Sequence, residues 1–142
     1  MTKLEKKHTA SAKAPSVADF VALRATAGWG AVSEFQAAKS LDNSLAFATV
    51  YVQEQLIAMG RIVGDGSLFF YIQDVVVHPN YQDRGFGRSV LEVLELYIKR
   101  EAKSGATVAL LSAQGKENFY SAFGYESRTG VPLGFGMCKF IS

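Results

Sequence analysis

Residues 68–100 read LFFYIQDVVVHPNYQDRGFGRSVLEVLELYIKR, and three physical signals meet in them. Leu68–Val77 is almost continuously apolar, which predicts an interior strand covered on both faces of its sheet. His78, Pro79 and Asn80 end it, because proline has no N–H to give to the ladder. From Arg88 onward Val90, Leu91, Val93, Leu94, Tyr97 and Ile98 recur at helical spacing, with Glu92, Glu95, Lys99 and Lys103 off that face. The Glu95 and Lys99 pair supports the same helix, and Gly105 is a ready C-terminal cap.

Working outward, Leu45–Val52 and Leu56–Val63 are β-branched and aromatic runs joined by Gln53, Glu54 and Gln55, which predicts a hairpin. With the turn at Gly64–Gly66, three antiparallel strands follow in a row. Before them, Pro15 and Ser16 precede Val17, Phe20, Val21 and Leu23, a helical spacing that ends near Gly28, and a second helix is predicted from Val32 to Lys39. After the long helix, Thr107–Leu111 reads as a strand, so strand, helix and strand form a parallel crossover. Glu117–Phe123 reads as a short helix and Leu133–Phe140 as a last, glycine-interrupted strand. The expected fold class is α/β (α+β): one domain over residues 1–142, with a central mixed, mostly antiparallel twisted sheet flanked by helices. Residues 1–14 are polar and read as a weakly ordered leader, in which Lys7–Ala12 can supply an edge strand.

The whole chain has 142 residues and a formal net charge of +2. One core of that size needs no disulfide or metal staple, and the single cysteine, Cys138, permits no disulfide framework or thiolate cluster within the chain. Cys138 itself reads as a small core residue. No secretory or membrane-spanning run is evident, so a reducing, cytoplasmic compartment is expected, with no membrane partner. Mixed charge signs argue against a duplex nucleic-acid binder. Any anion site must be local.

The loop HPNYQDRGFGRS places Gly85 and Gly87 where the chain enters the long helix. Glycine permits left-handed backbone angles and close approach of a phosphate, and a helix N-terminus carries roughly half a positive charge. Arg84 and Arg88 can add charge-assisted donors. A plain strand-to-helix turn is the competing reading. A dinucleotide fingerprint would need a glycine where Val90 stands, and a P-loop would need lysine where Arg88 stands.

Three motifs then occur in order. Gln82, Asp83, Arg84, Gly85, Phe86 and Gly87 fit Gln/Arg-x-x-Gly-x-Gly/Ala; Val77, His78, Pro79, Asn80 and Tyr81 fit Val-x-Pro-x-Tyr; Tyr120, Ser121, Ala122, Phe123, Gly124 and Tyr125 fit Tyr-x-x-Phe-Gly-Tyr/Phe. In these the sequence resembles the GCN5-related N-acetyltransferases, over about Val17 to Phe140. The resemblance implies an acetyl-CoA-dependent enzyme without a metal, acting on a primary amine. It also implies that the backbone of Val75, Val76 and Val77 holds the acetyl-pantetheine arm like an added strand, once a bulge or splay exposes it. One of these N–H groups, near Val75 or Val76, would hold the thioester oxygen. The amides of Asp83, Arg84, Gly85, Phe86, Gly87 and Arg88 would hold the pyrophosphate, Gln82 opens the same motif as a cofactor-binding residue, and Asn118 would touch pantetheine unless it is an ordinary residue of a helix start.

Acyl transfer needs a neutral amine, yet an alkylamine with a pKa of about 10.4 is only about one part in a thousand neutral at pH 7. The departing thiolate gains from an acid, and Tyr120 matches the family tyrosine for that role. Its alternative is packing beside Phe123. Tyr71 and Gln73 stand where some relatives carry histidines, so no histidine base is expected there. Asp74 is the nearest carboxylate, acting through an ordered water or else simply bonding backbone. Glu34, Glu54 and Glu126 have no positional case, and His78 reads as structural. The loop around Gly28, Trp29 and Gly30 and the hairpin tip would flank the acceptor, with Trp29 either stacking on it or anchoring the core. A small-molecule amine is favoured over a protein lysine, a CoA-binding sensor without turnover remains as a rival, and family members commonly form homodimers.

Overall fold

The computed structural model describes residues 8–142 and divides the chain into two compact units, Met1–Leu110 and Leu111–Ser142. Of the polar leader, the expectation for residues 1–7 lies outside the described residues. His8–Ala14 are tied down at three points: Ser11 forms an antiparallel bridge with Thr49, Thr49 Oγ1 donates to the Lys13 carbonyl at 2.9 Å, and Ala10 N–H donates to Ser89 Oγ at 3.0 Å.

In the first unit the elements run α1 (Val17–Ala25), α2 (Glu34–Asp42), β1 (Ala46–Val52), β2 (Gln55–Gly64), β3 (Phe69–Val77), a 3-10 turn (Pro79–Tyr81), α3 (Phe86–Glu101) and β4 (Thr107–Leu110). Ser16 caps α1 by accepting the Asp19 N–H at 3.1 Å. Ser33 and Gln36 form a reciprocal capping box, which starts α2 two residues later than its apolar spacing suggested. The hairpin tip is tight, with Gln53 at φ 49° and Glu54 at φ 68°, the left-handed pair that suits the twist of a two-residue turn.

The sheet order is β1-β2-β3-β4, antiparallel for the first three strands and parallel between β3 and β4. The expected meander and crossover are therefore present. β3 is interior to the sheet as expected, yet its residues alternate between buried and half-exposed, with Phe70, Ile72, Asp74 and Val76 pointing into the core. Phe20, Leu23, Ala37 and Leu41 of α1 and α2 pack on Leu56, Met59 and Val76, forming the core on one face. α3 packs on the other, where Val90, Leu91 and Leu94 are fully buried. α3 ends at Glu101 with Ala102 as its cap, so Gly105, at φ 95°, turns the chain into β4 instead of capping the helix.

The second unit holds a single short helix among the described residues, α4 (Glu117–Ser121), shorter than the predicted Glu117–Phe123. The predicted strand at Leu133–Phe140 is not formed. Gly134 and Gly136 interrupt it, no ladder partner is present among the described residues, and Leu133, Phe135, Met137 and Phe140 are exposed. Cys138 is likewise exposed and is not the core residue expected.

Gly60 sets how closely α3 approaches the sheet. A Cβ at that position would lie 2.8 Å from Val90 Cγ1, 3.0 Å from Leu94 Cδ1 and 3.3 Å from Val75 Cγ2. Because protein interiors do not absorb an added methyl group without shifting, Gly60→Val is expected to lower unfolding stability by about 1–3 kcal/mol, measured by denaturant titration.

Candidate active site

The ladder between β2 and β3 slips between Met59 and Arg61. Met59 pairs with Val76 and Arg61 with Gln73, so Gly60 alone faces both Asp74 and Val75. This β-bulge puts Asp74 at φ 54°, a left-handed conformation that costs a non-glycine residue about 1–3 kcal/mol. The Asp74 side chain holds it there. Its Oδ1 accepts from Arg24 Nε at 3.1 Å and from Gln73 Nε2 at 3.3 Å, and its Oδ2 accepts from Arg61 Nε at 2.7 Å. Only 2% of the carboxylate side chain is exposed. Arg61 continues the network through Nη1 to the Ser40 carbonyl and Ser44 Oγ at the end of α2.

Both oxygens of Asp74 are thus occupied. These donors make Asp74 the shared counter-ion of two guanidinium groups. Its place in the site is that of an anchor for the bulge. Sequence reasoning missed Arg24 and Arg61, although a signal existed: Arg61 is the one charged residue within the apolar run Leu56–Val63, and Asp74 is the one within Leu68–Val77. Opposite charges embedded singly in neighbouring apolar strands point to a buried pair.

Past the bulge β3 has an open side. β4 pairs only with Phe69–Ile72, while β3 runs on to Val77, so among the described residues of the first unit Gln73–Val77 have no strand neighbour on that edge. The N–H of His78 donates to the Ile57 carbonyl at 2.7 Å, which turns the groups of the preceding Val77 toward the open edge. Gln82 Nε2 donates to the Val77 carbonyl at 3.2 Å, folding the following loop back against the strand end.

That loop presents a helix start without a side-chain cap. Gly85 is the N-cap of α3 at φ 84°, Asp83 sits at φ 61°, and the first amides of α3 have no partner within the helix. A Cβ built on Gly85 meets nothing within 4 Å, so the space before these amides is open. Orphan N–H donors, the positive end of the helix dipole and an unobstructed approach fit a phosphate group. Phe86 is buried and its ring meets Tyr81 edge-on at 6.3 Å, with the Arg84 guanidinium 5.4 Å above Tyr81. Arg88 pairs with Glu92 on the exposed side of the helix.

Val75, Val76, Val77 and the loop from Gln82 to Arg88 therefore lie along one continuous strand end and helix start of the first unit. Asn118 and Tyr120 belong to the second unit. There Tyr120 is buried in α4, with its ring 5.0 Å from Phe119 and 6.5 Å from Tyr125, both edge-on. Asn118 is the second residue of that helix. Among the described residues no three histidine, cysteine or acidic side chains are grouped to hold a metal, and no helix is long and apolar enough to cross a membrane.

A bulged, half-open strand thus runs into an uncapped, glycine-started helix. The profile of the acetyltransferase (GNAT) domain matches residues 43–127, more than half of the chain. A Staphylococcus aureus protein described as a probable acetyltransferase is 32% identical, with a TM-score of 0.84 over 93% of this chain and 98% of that one. A GNAT-family acetyltransferase from Streptococcus pneumoniae has a TM-score of 0.73 over 94% of this chain and 97% of that one at 24% identity, and shares the fold. An uncharacterized ycf52-like N-acetyltransferase of Prochlorococcus marinus is 31% identical over 104 residues, covering 69% of this chain and 56% of that protein. The chain belongs to the GCN5-related N-acetyltransferase family. It spans about half the length of the curated relatives it matches.

Removing one partner from a buried ion cluster leaves the others uncompensated. Asp74→Ala is expected to cost about 3–5 kcal/mol of stability in denaturant unfolding, and Asp74→Asn, which keeps an acceptor oxygen and tolerates the left-handed backbone, is expected to cost less.

Proposed function

We propose that this protein is an acetyl-CoA-dependent N-acetyltransferase that passes the acetyl group to a primary amine of a small molecule by direct attack in a ternary complex. The single observation that carries this reading is the open edge of β3 beside its bulge, continuing without a break into the amides before α3. An extended pantetheine arm can add to such an edge as a strand does, while the loop amides receive the diphosphate. Val75, which by the same alternation as Val77 faces the open edge, is the candidate to donate an N–H to the thioester oxygen as negative charge develops on it. Acetyl-CoA supplies the activated acyl group as a substrate, and no metal is required of the chain.

Tyr120 is proposed as the acid that protonates the departing thiolate, and Asn118 as a pantetheine contact. With Asp74 committed to its two arginines, the amine proton passes to bulk water or to a water held at the site. That same commitment gives a second reading, a CoA-binding module without turnover, its specific support. Release of free CoA from acetyl-CoA in the presence of a broad amine panel separates the two. The cytoplasmic compartment and a homodimer stay as proposals alongside this one.

Gly85→Val is expected to weaken acetyl-CoA binding about tenfold or more in calorimetry, because a β-branched side chain resists φ 84° and fills the open approach to the amides. Unchanged affinity would place the diphosphate elsewhere. Tyr120→Phe is expected to reduce turnover on the order of a hundredfold and to flatten the alkaline limb of the pH profile, with acetyl-CoA affinity retained. An unaltered profile would remove Tyr120 from the chemistry.

A further inference from the structure

Arg24 does more than its bond to Asp74 requires. It holds the carboxylate through Nε only, and among the described residues its two terminal nitrogens have no hydrogen-bond partner. Among the described residues no side-chain nitrogen or oxygen is both buried and unpartnered, so these donors reach solvent, consistent with the 19% exposure of the side chain. Arg61 differs, since its Nη1 is taken by Ser40 and Ser44. The cluster sets two guanidinium charges against one carboxylate and so retains an excess positive charge beside the bulge. In a site partly withdrawn from water such a charge is a strong attractor for an anion.

Trp29 completes the feature. The Arg24 guanidinium lies 5.7 Å from the centre of the indole, which is itself 43% exposed. The ring face that a cationic amine would stack on is therefore already occupied by a cation. Trp29 sits between Gly28 at φ 73° and Gly30 at φ 91°, and a Cβ on either glycine would meet nothing within 4 Å, so the loop borders open space. Resting the guanidinium on the indole fixes its plane, which suits the two-point recognition of a carboxylate or phosphate.

We infer that Arg24, backed by Trp29 and held beside the bulge by Asp74, forms an oxyanion-recognising subsite, and that the acceptor is an amine that also carries a carboxylate or phosphate group. This rests on the acetyltransferase reading for the placement of the thioester at the bulge. It selects against polyamines and simple arylalkylamines, whose only charge is positive. The amine of the acceptor points to the thioester while its anion docks on the free edge of Arg24.

Trp29 is the only tryptophan in the chain, so its fluorescence reports the subsite directly. The CoA-loaded protein is titrated with two matched pairs, lysine against cadaverine and phosphoethanolamine against ethanolamine, and the same pairs are assayed as acceptors with acetyl-CoA. The anionic member of at least one pair is expected to saturate the signal at a concentration about tenfold lower, as a charge-assisted contact implies, and which pair does so tells carboxylate from phosphate. Arg24→Gln is expected to erase the difference between the members of each pair. Should that variant fail to fold, the preference in the native protein must still shrink as salt rises from low to high ionic strength. Equal or reversed saturation within both pairs, a preference indifferent to salt, or one that survives in a folded Arg24→Gln protein would overturn the inference. A failure of CoA to bind would instead fall on the acetyltransferase reading, because the Trp29 titration can be read in the unloaded protein.

Discussion

A buried carboxylate caught between two guanidinium groups governs the working part of this molecule. Asp74 lies in a left-handed conformation that its residue type tolerates only with help, and its oxygens are gripped by Arg24 from α1 and Arg61 from β2. The strain at the bulge is of order 1–3 kcal/mol, while leaving one of these charges unpaired costs about 3–5 kcal/mol. The ion cluster wins, and the bulge is held open. Arg61 extends the hold to the end of α2, so helices on one face of the sheet fix the backbone at the edge where acyl transfer is proposed.

The other half of the design is a difference in strand length. β4 stops opposite Ile72 while β3 continues to Val77, which leaves that last stretch of an otherwise interior strand unpaired by β4. Exposed edges are hazards unless something covers them. Here the unpaired stretch is short, begins at a bulge and leads at once into the loop folded back by Gln82. On the opposite face Gly60 lets α3 settle close behind the bulge, so the helix start that carries Gly85 belongs to a packed layer rather than to a loose loop. Membership of the N-acetyltransferase family rests on the domain match, whereas the proposed acceptor class rests on Arg24 and Trp29, which lie outside the shared motifs.

Much of this was legible in advance. The meander, the long helix and the parallel crossover follow from periodicity, because burial of apolar side chains imposes a period of two on strands and 3.6 on helices. The loop from Gln82 to Arg88 was legible because proline fixes backbone angles and glycine opens left-handed ones, both locally. What misled was residue type read without partners. Cys138 read as a core residue since cysteine is usually buried, and the buried partners of Asp74 could not be read from its residue type. The strand expected at Leu133–Phe140 had the right alternation, but alternation creates a strand only where a ladder partner exists.

The sequence by itself therefore determined the order of elements in the first unit, the position of the glycine turn before the long helix and the family, all of which depend on residues close together along the chain. Tertiary structure alone decided that residues 24, 61 and 74 meet, that β3 outruns β4, and that one guanidinium edge is left over. The physical reason is range. Backbone propensity and hydrophobic period act over a few residues, whereas a charge finds its counter-charge across 50 residues of chain only after the sheet and helices have brought them within 3.1 Å.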